Sequence, residues 1–233
     1  MKENIYILEE ACATKETGAY YPQITKMGKG YDYNAKDSIY IFSRQYYNSI
    51  PPFIPNFDHF VMNGKSKISD FLSCSLMGST GFILSVQVKE IFEKFLLPEH
   101  RFYQIRLLRG KDFIENYYYL KVVCDLSDIV DYPNSIFIKK DIRDRILEEI
   151  ILDDKEAYIR KDQEVKKESK IQDIYYSLWA KKIALKYTID FDLFSVRGTF
   201  DNKIYIKENL KNALFEKNIT GAEILHTDRI ILP

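Results

Sequence analysis

The sequence is short of several features that would identify a class of protein directly. Its three cysteines, Cys12, Cys74 and Cys124, are an odd number without CxxC spacing. Neither a disulfide framework nor a cysteine-rich zinc site is therefore expected. We expect the thiols to stay reduced and to fill space inside a cytoplasmic protein. No apolar run reaches the roughly 18 residues of a membrane-spanning helix, so no membrane partner is expected.

The chain also lacks an excess of charge of either sign. Lys and Arg number 34, and Asp and Glu also number 34. A protein dedicated to duplex nucleic acid usually carries a basic excess, so nucleic acid is not an expected partner. The first ten residues, MKENIYILEE, contain acidic side chains and only a short apolar stretch, which does not fit a secretion signal.

Motifs for catalysis and metal binding are missing as well. The three histidines, His59, His100 and His226, do not have HxH or HExxH spacing. The run at 78–81, Gly-Ser-Thr-Gly, departs from GxSxG, and the run at 28–30, Gly-Lys-Gly, lacks the spacing of a phosphate-binding loop. We therefore predict no catalytic residue, no metal and no cofactor.

Aromatic and apolar side chains are abundant. Hydrophobic residues make up 46% of the chain, enough for a globular core, and there are 18 Tyr and 15 Phe. The tyrosines have two interpretations. They could form an aromatic binding surface, since Tyr is favoured in protein interfaces, or they could lie largely in the core.

The most regular pattern lies near the end of the chain. Residues 203–225, KIYIKENLKNALFEKNITGAEIL, predict a strand, an amphipathic helix, a tight turn and a strand. Residues 136–151 match residues 204–219 at five of sixteen positions, and residues 82–108 repeat the same order of patterns without the identities. Gly221 is expected to adopt a positive φ at the C-terminal cap of the helix.

The remaining patterns predict short strands separated by a few helices, which is typical of an α+β fold with a mixed, mostly antiparallel sheet. Strands are predicted over 3–8, 38–42, 82–84, 102–108, 117–124 and 191–196. Helices are predicted over 88–96, with Ser85 as N-cap, and over 171–187. Loops or turns are predicted over 11–37, 51–60, 69–81, 125–135 and 198–202, and the second half of 136–152 fits either a helix or a strand.

We expect one domain over residues 1–233. At this length the chain suits one large domain or two small lobes. Residues 153–170 are nearly all charged or polar. They are interpreted as a surface excursion of the single domain, with a linker or a solvated helix as the alternatives.

Carboxylates cluster just before a proline turn. Asp125, Asp128 and Asp131 adjoin Tyr132. Acidic groups beside an aromatic ring suit docking onto a basic protein partner, although aspartates are also common in ordinary turns and helix caps. Trp179, the only tryptophan, is a further candidate for partner contact because tryptophan is enriched in binding hot spots.

Three stretches of the chain share motifs with one known family. FDNKIYIKENLKNALFEKNITGAEIL is similar to that family's closing strand, helix and glycine turn, with Gly221 in place. SKISDFLSCSLMGSTGFILSVQVKEIFEK is similar to an upstream pattern, with Asp70 and Ser85 in register. DYPNSIF, with Asp131 and Ser135, is similar to a D-x-x-x-S turn. Through these motifs the chain resembles a bacterial immunity-protein family, the eleventh in the immunity-protein series and formerly a domain of unknown function.

The resemblance covers roughly residues 55–225, and residues 1–50 add little to it. Lys207 stands where a serine-like cap is common, and Ile224 where an aromatic residue is common. The resemblance implies a non-catalytic cytoplasmic protein that binds and neutralises the cognate toxin domain of a polymorphic toxin system. The residues alone leave an alternative open, a small enzyme with a site of dispersed carboxylates and tyrosines that could be directed at nucleotides.

Overall fold

The computed structural model describes residues 3–77, 81–199 and 201–233. Over these residues the strands are β1 Ile5–Glu10, β2 Ile24–Met27, β3 Phe60–Met62, β4 Phe71–Leu72, β5 Gly81–Ser85, β6 Glu99–Arg109, β7 Asp112–Val123, β8 Val130–Asp141, β9 Ile146–Ile150, β10 Tyr176–Leu185, β11 Leu193–Phe194, β12 Ile204–Lys207, β13 Ala222–Thr227 and β14 Ile230–Ile231. The helices are α1 Thr14–Thr17, α2 Ile39–Gln45, α3 Val86–Phe92, α4 Lys155–Gln172 and α5 Glu208–Glu216.

In the described part of the chain the strands form three sheets. The terminal sheet has the order β11-β12-β1-β13, the lateral sheet β14-β10-β8-β9, and the middle sheet β2-β3-β6-β7-β5-β4. Their neighbouring strands run antiparallel except for β3–β6 and β10–β14, which are parallel. The protein therefore has an α+β fold with mixed and antiparallel sheets, as the sequence predicts.

The middle sheet is buried on both faces and separates two hydrophobic cores. On β7, Leu120 and Val122 enter the larger core, which draws on strands of all three sheets. Tyr117 and Tyr119 point the other way into the smaller core. This alternation follows from the two-residue period of side chains along a strand. Helix α2 contributes Phe42 to the smaller core.

The strand–helix–strand pattern at the end of the chain is confirmed as β12, α5 and β13. Its two strands are not neighbours, because β1 lies between them and pairs antiparallel with both. Ile7 of β1 is opposite Tyr205 on one side and Leu225 on the other. Leu210 and Leu214, one helical turn apart, bury the inner face of α5. An N-terminal strand thus completes the C-terminal unit.

Several predicted strands are confirmed, and so is one helix cap. Ser85 caps α3, because its side-chain oxygen accepts a hydrogen bond from the Val88 backbone N–H at 3.4 Å. The confirmed strand predictions are those over 3–8, 82–84, 102–108 and 117–124. The strand predicted over 191–196 is reduced to the two residues of β11.

The strand predicted over 38–42 is wrong, since these residues begin helix α2. Ser38 is its N-cap and accepts a hydrogen bond from the Ile41 backbone N–H at 3.3 Å. Ile39 and Phe42, spaced i and i+3, face the smaller core. The apolar residues in this stretch of five fit the period of a strand and the period of a helix almost equally well, and packing onto the middle sheet favours the helix.

The helix predicted over 171–187 is also wrong. Residues 153–170 form most of helix α4, which confirms the solvated-helix alternative for this segment and not the linker. Asp173 ends that helix in the left-handed conformation, with φ of 53°. Leu178 and Ala180 then alternate with more exposed neighbours along β10, as in a strand. The helix was predicted because apolar residues on both sides of the end of α4 happen to have helical spacing.

The similar sequences at 136–151 and 204–219 adopt different structures. The first forms the end of β8 and strand β9, which pair antiparallel with Phe137 opposite Ile150. The second forms β12 and α5. The sequence likeness is therefore not a structural repeat.

Smaller differences concern the ends of elements. Strand β2 lies inside the loop predicted over 11–37, and β8 starts at Val130, inside the turn predicted over 125–135. Helix α3 ends at Phe92 rather than near Leu96, whose side chain is 54% exposed. No helix of the described residues is both long and apolar enough to cross a membrane.

Candidate functional site

Asp70, Ser85 and Gly221, three of the residues that carry the family resemblance, meet at one junction. The carboxylate of Asp70 accepts a hydrogen bond from Ser85 Oγ at 2.8 Å, and from the backbone N–H and Oγ1 of Thr220 at 3.0 and 2.8 Å. Gly221 follows directly, and a Cβ there would lie 2.2 Å from the carbonyl oxygen of Phe71. These residues fasten the C-terminal unit to the middle sheet and α3.

Gly221 does not cap α5 as the sequence predicts. The C-cap is Lys217, and Asn218 supplies the left-handed residue, with φ of 51°. Gly221 has φ of 77° and lies just before β13, where its backbone is close to the carbonyl group of Phe71. Its lack of a side chain is needed for both reasons.

Ser135, another residue of the resemblance, lies within β8 rather than in a turn. Its hydroxyl donates to the Asp131 carbonyl at 2.6 Å and accepts from the Ala184 N–H at 3.0 Å. The register of β8 and β10 shifts between Lys182 and Ala184. Ser135 therefore satisfies backbone groups at a β-bulge.

The predicted partner-binding aspartates have different surroundings. Asp125 accepts hydrogen bonds from the backbone N–H groups of Ser127 and Gly198 at 2.9 and 3.1 Å, so it holds two turns together. Asp128 is exposed and pairs with Lys155 at 2.6 Å. The hydrogen bond and the charge of Lys155 lower the pKa of Asp128.

Asp128 and Asp131 line a cleft of about 400 Å³ beside the N-terminus of α4. It carries more acidic than basic groups, namely Asp128, Asp131, Asp153, Asp154 and Glu156 with Lys155 and Lys186. Tyr132, the aromatic residue predicted to take part in docking beside these aspartates, is only 2% exposed. Its ring stacks on Phe137 with centroids 5.8 Å apart, so Tyr132 belongs mainly to the core.

Trp179 lies on β10, and the residues that line the acidic cleft do not include it. The ring is partly buried, its Nε1 donates to Ser177 Oγ at 2.7 Å, and Lys140 Nζ lies 5.4 Å from the ring centroid. On the neighbouring strand β8 it is opposite Ile138, which is buried but belongs to neither of the two hydrophobic cores.

A surface around α2 was not located by the sequence. We use the name aromatic surface for the exposed side chains of Tyr40 and Arg44 on α2 together with those of Tyr33, Tyr47 and Ile54, which come from the chain segments before and after this helix. The four apolar or aromatic side chains among them are 36–72% exposed. The Arg44 guanidinium lies 4.7 Å from the Tyr40 ring centroid, one helical turn away. The only sequence signal was the concentration of tyrosines between residues 20 and 47.

A cavity of about 420 Å³ lies between the terminal and middle sheets. Its wall includes the apolar side chains of Leu8, Phe82, Ile83 and Ile204 and the polar side chains of Glu9, Glu10, Cys12, Tyr21, Cys74, Lys203 and Glu223. Glu9 forms an ion pair with Lys203. None of these residues was a sequence candidate for a site, because they come from distant segments of the chain.

Burial dominates the ionisation of two groups in this cavity. It raises the pKa of Glu10 to about 8, although a hydrogen bond from the Cys74 backbone N–H opposes the rise. It also raises the pKa of the Cys74 thiol to about 12. At neutral pH the thiol is therefore protonated and a poor nucleophile, whereas the carboxyl titrates close to physiological pH.

Gly78, Ser79 and Thr80 of the glycine–serine motif lie outside the described residues. Among the residues that are described, no three His, Cys, Asp or Glu side chains are placed to hold a metal ion. No protein-family model matches the chain, and no curated protein matches it.

Proposed function

We propose that the protein is a non-catalytic immunity protein that binds and neutralises a cognate toxin domain in the bacterial cytoplasm. The observation that carries the proposal is the aromatic surface around α2. Tyr and Arg are the side chains most enriched, with Trp, among interface residues that dominate binding energy. Tyr40 and Arg44 lie one helical turn apart and are both exposed. The resemblance of residues 55–225 to an immunity-protein family supplies the identity of the partner.

The junction at Asp70 supports the same proposal in a different way. Asp70, Ser85 and Gly221 carry the resemblance and contact one another's segments. They would therefore define a shared scaffold, and the recognition of one particular toxin would come from surfaces that differ between members. The tyrosines of residues 20–47 lie outside the part of the chain that resembles the family.

Co-expression tests the function. The chain should restore growth to cells that produce the toxin domain encoded by the adjacent gene, and should form a stoichiometric complex with it. A specific complex would bury on the order of 1,600 Å² in total. Absence of both rescue and complex formation would overturn the proposal.

Substitutions in the aromatic surface test the docking site. Tyr40→Ala and Arg44→Ala should each raise Kd for the toxin domain by about 30-fold, because truncation of a hot-spot side chain costs about 2 kcal/mol. Calorimetric titration measures the change. The matched control is Tyr187→Ala, since Tyr187 is 65% exposed outside this surface. Equal effects of the three substitutions would contradict the assignment.

The acidic cleft is proposed as a second contact, with Asp128 and Asp131 facing basic groups of the toxin. Its excess of carboxylates would accelerate association with a basic partner more than it would slow dissociation. Asp131→Asn should therefore lower the association rate at low salt. An association rate that is independent of both this substitution and ionic strength would exclude the cleft. Trp179 and Asp125 are also proposed as contacts with the toxin, on the sequence arguments given for them above.

A further inference from the structure

The cavity between the terminal and middle sheets has the size and the wall of a small-molecule site. Its volume of about 420 Å³ lies within the range of roughly 300–1,000 Å³ that such sites occupy. Leu8, Phe82 and Ile204 come from strands of two different sheets and form part of an apolar wall. Side chains on paired strands hold their positions better than side chains on loops.

Among the described residues, two carboxyls of the cavity, Glu10 and Glu223, have no ion-pair partner. Glu9, Glu10 and Cys12 come from β1 and the turn after it, and Tyr21 and Cys74 come from loops. Lys203 lies just before β12, and Glu223 lies on β13. Lys203 is paired with Glu9. No Lys, Arg or His of the described residues forms an ion pair with Glu10, whose carboxyl accepts a hydrogen bond from the backbone N–H of Cys74.

We propose that this cavity binds a small organic cation, an alkylammonium or guanidinium group, with its charge against the Glu10 carboxylate and its alkyl part on the apolar wall. The carboxylate supplies charge and hydrogen-bond acceptors, and a guanidinium matches it with parallel N–H donors. Glu223 at the rim adds negative charge that favours the entry of a cation. The site is independent of the proposed docking of a toxin on α2.

Binding at this site is coupled to release of a proton. In the free protein Glu10 has a pKa of about 8, so at pH 7 most molecules carry a neutral carboxylic acid there. A bound cation favours the ionised form, and the proton must leave. Affinity should therefore rise about tenfold per pH unit from pH 6 towards pH 7.5 and level off above pH 8.

The experiment uses n-butylguanidinium as the probe, because a guanidinium stays charged throughout this pH range. Its uncharged isostere n-butylurea is the control ligand. Titrations followed by NMR chemical shifts at pH 6, 7 and 8 should show saturable binding of the cation at cavity residues, strengthening with pH, and at least tenfold weaker binding of the urea. Absence of binding, or equal binding of both compounds, would overturn the proposal.

Glu10→Gln tests the assigned residue. This near-isosteric change should weaken binding of the cation at least tenfold at pH 8 and remove the dependence on pH, while Glu115→Gln, an exposed position on the β6–β7 hairpin, should change neither. Thermal unfolding of both variants checks their folding. A wild-type affinity for n-butylguanidinium that does not change from pH 6 to 8 refutes the role of Glu10 even if the variant does not fold.

The source of the cation is decided by a separate measurement, the binding of the toxin domain to the Glu10→Gln variant. If this variant also binds the toxin domain more weakly, the cation belongs to the toxin, and if not, it is a free small molecule.

Discussion

Gly221 shows how a single residue combines two constraints. Its φ of 77° disfavours any side chain, and a Cβ would approach the Phe71 carbonyl oxygen to 2.2 Å and the Ser69 side chain to 2.7 Å. The sequence predicts a structural glycine here for its backbone conformation alone. The steric reason depends on β4, which is 150 residues earlier in the chain.

Gly221→Ala should lower the free energy of unfolding by about 3 kcal/mol or more, since strain at a positive φ and a backbone clash add together. Urea denaturation measures the loss. Gly30→Ala is the matched control, because Gly30 has φ of 87° but nothing within 4 Å of its Cβ position. It should cost only about 1 kcal/mol. Equal costs would show that the contact with Phe71 is unimportant.

Asp70 is the second residue whose role is decided by distant neighbours. Asp70→Ala should cost about 2–3 kcal/mol, because it removes three hydrogen bonds that Ser85 and Thr220 donate to a charged acceptor. A double-mutant cycle with Thr220→Val should give a coupling free energy of about 1 kcal/mol. Simple additivity of the two losses in urea denaturation would contradict the proposed link.

At the scale of elements, α4 illustrates a helix held by few buried contacts. Only Tyr158 and Val165 of its eighteen residues are buried, and the rest are polar or partly exposed. Such a helix depends on its caps and ion pairs more than on an apolar stripe. Asp154 caps its N-terminus by accepting from the Ala157 backbone N–H at 2.6 Å.

Asp154→Ala should therefore lower the free energy of unfolding by about 1 kcal/mol, as expected for loss of an N-cap acceptor. Asp153→Ala, one residue earlier and outside the cap, should change it by less than about 0.5 kcal/mol. Thermal unfolding of the two variants side by side provides the comparison. A larger effect at Asp153 would mean that general acidity near the helix end, and not the cap, is responsible.

The similar stretches 136–151 and 204–219 show why elements could not all be predicted. In the second, Leu210 and Leu214 meet the larger core at helical spacing. In the first, only Ile150 of β9 is buried, and pairing with β8 determines the conformation. The local pattern leaves helix and strand nearly equal in free energy, and pairing with a neighbouring strand favours the strand.

At the scale of the whole molecule, two groups with displaced pKa values act in opposite directions on stability. Glu10 has its pKa raised by burial to about 8, so the folded state holds this proton more tightly than the unfolded chain. Lys121 has its pKa lowered to about 8 by burial and by the charge of Arg197, so the folded state gives up that proton more readily. The two groups therefore act in separate pH windows.

The free energy of unfolding should fall between about pH 4.5 and 8 through Glu10, and rise between about pH 8 and 10.5 through Lys121. Urea denaturation at half-unit intervals of pH measures both slopes. Glu10→Gln should flatten the first window relative to the wild type and leave the second unchanged. If the variant and the wild type run parallel below pH 8, the burial of Glu10 does not displace its ionisation.

The sequence by itself determined the α+β class, the closing strand–helix–strand unit, the Ser85 cap and the middle-sheet strands 82–84, 102–108 and 117–124. Each of these depends on a local pattern of side chains and hydrogen-bonding groups, which a short window of sequence contains. The family resemblance also came from such windows and stays a prediction.

Only the tertiary structure decided which long-range neighbours those elements have. It placed β1 between β12 and β13, closed the smaller core with α2, joined Asp70 to Thr220 and gathered Glu10, Cys74 and Lys203 around one cavity. These contacts bring together residues from distant segments of the chain. They are fixed by burial of apolar surface over the whole molecule, and no local pattern records that free energy.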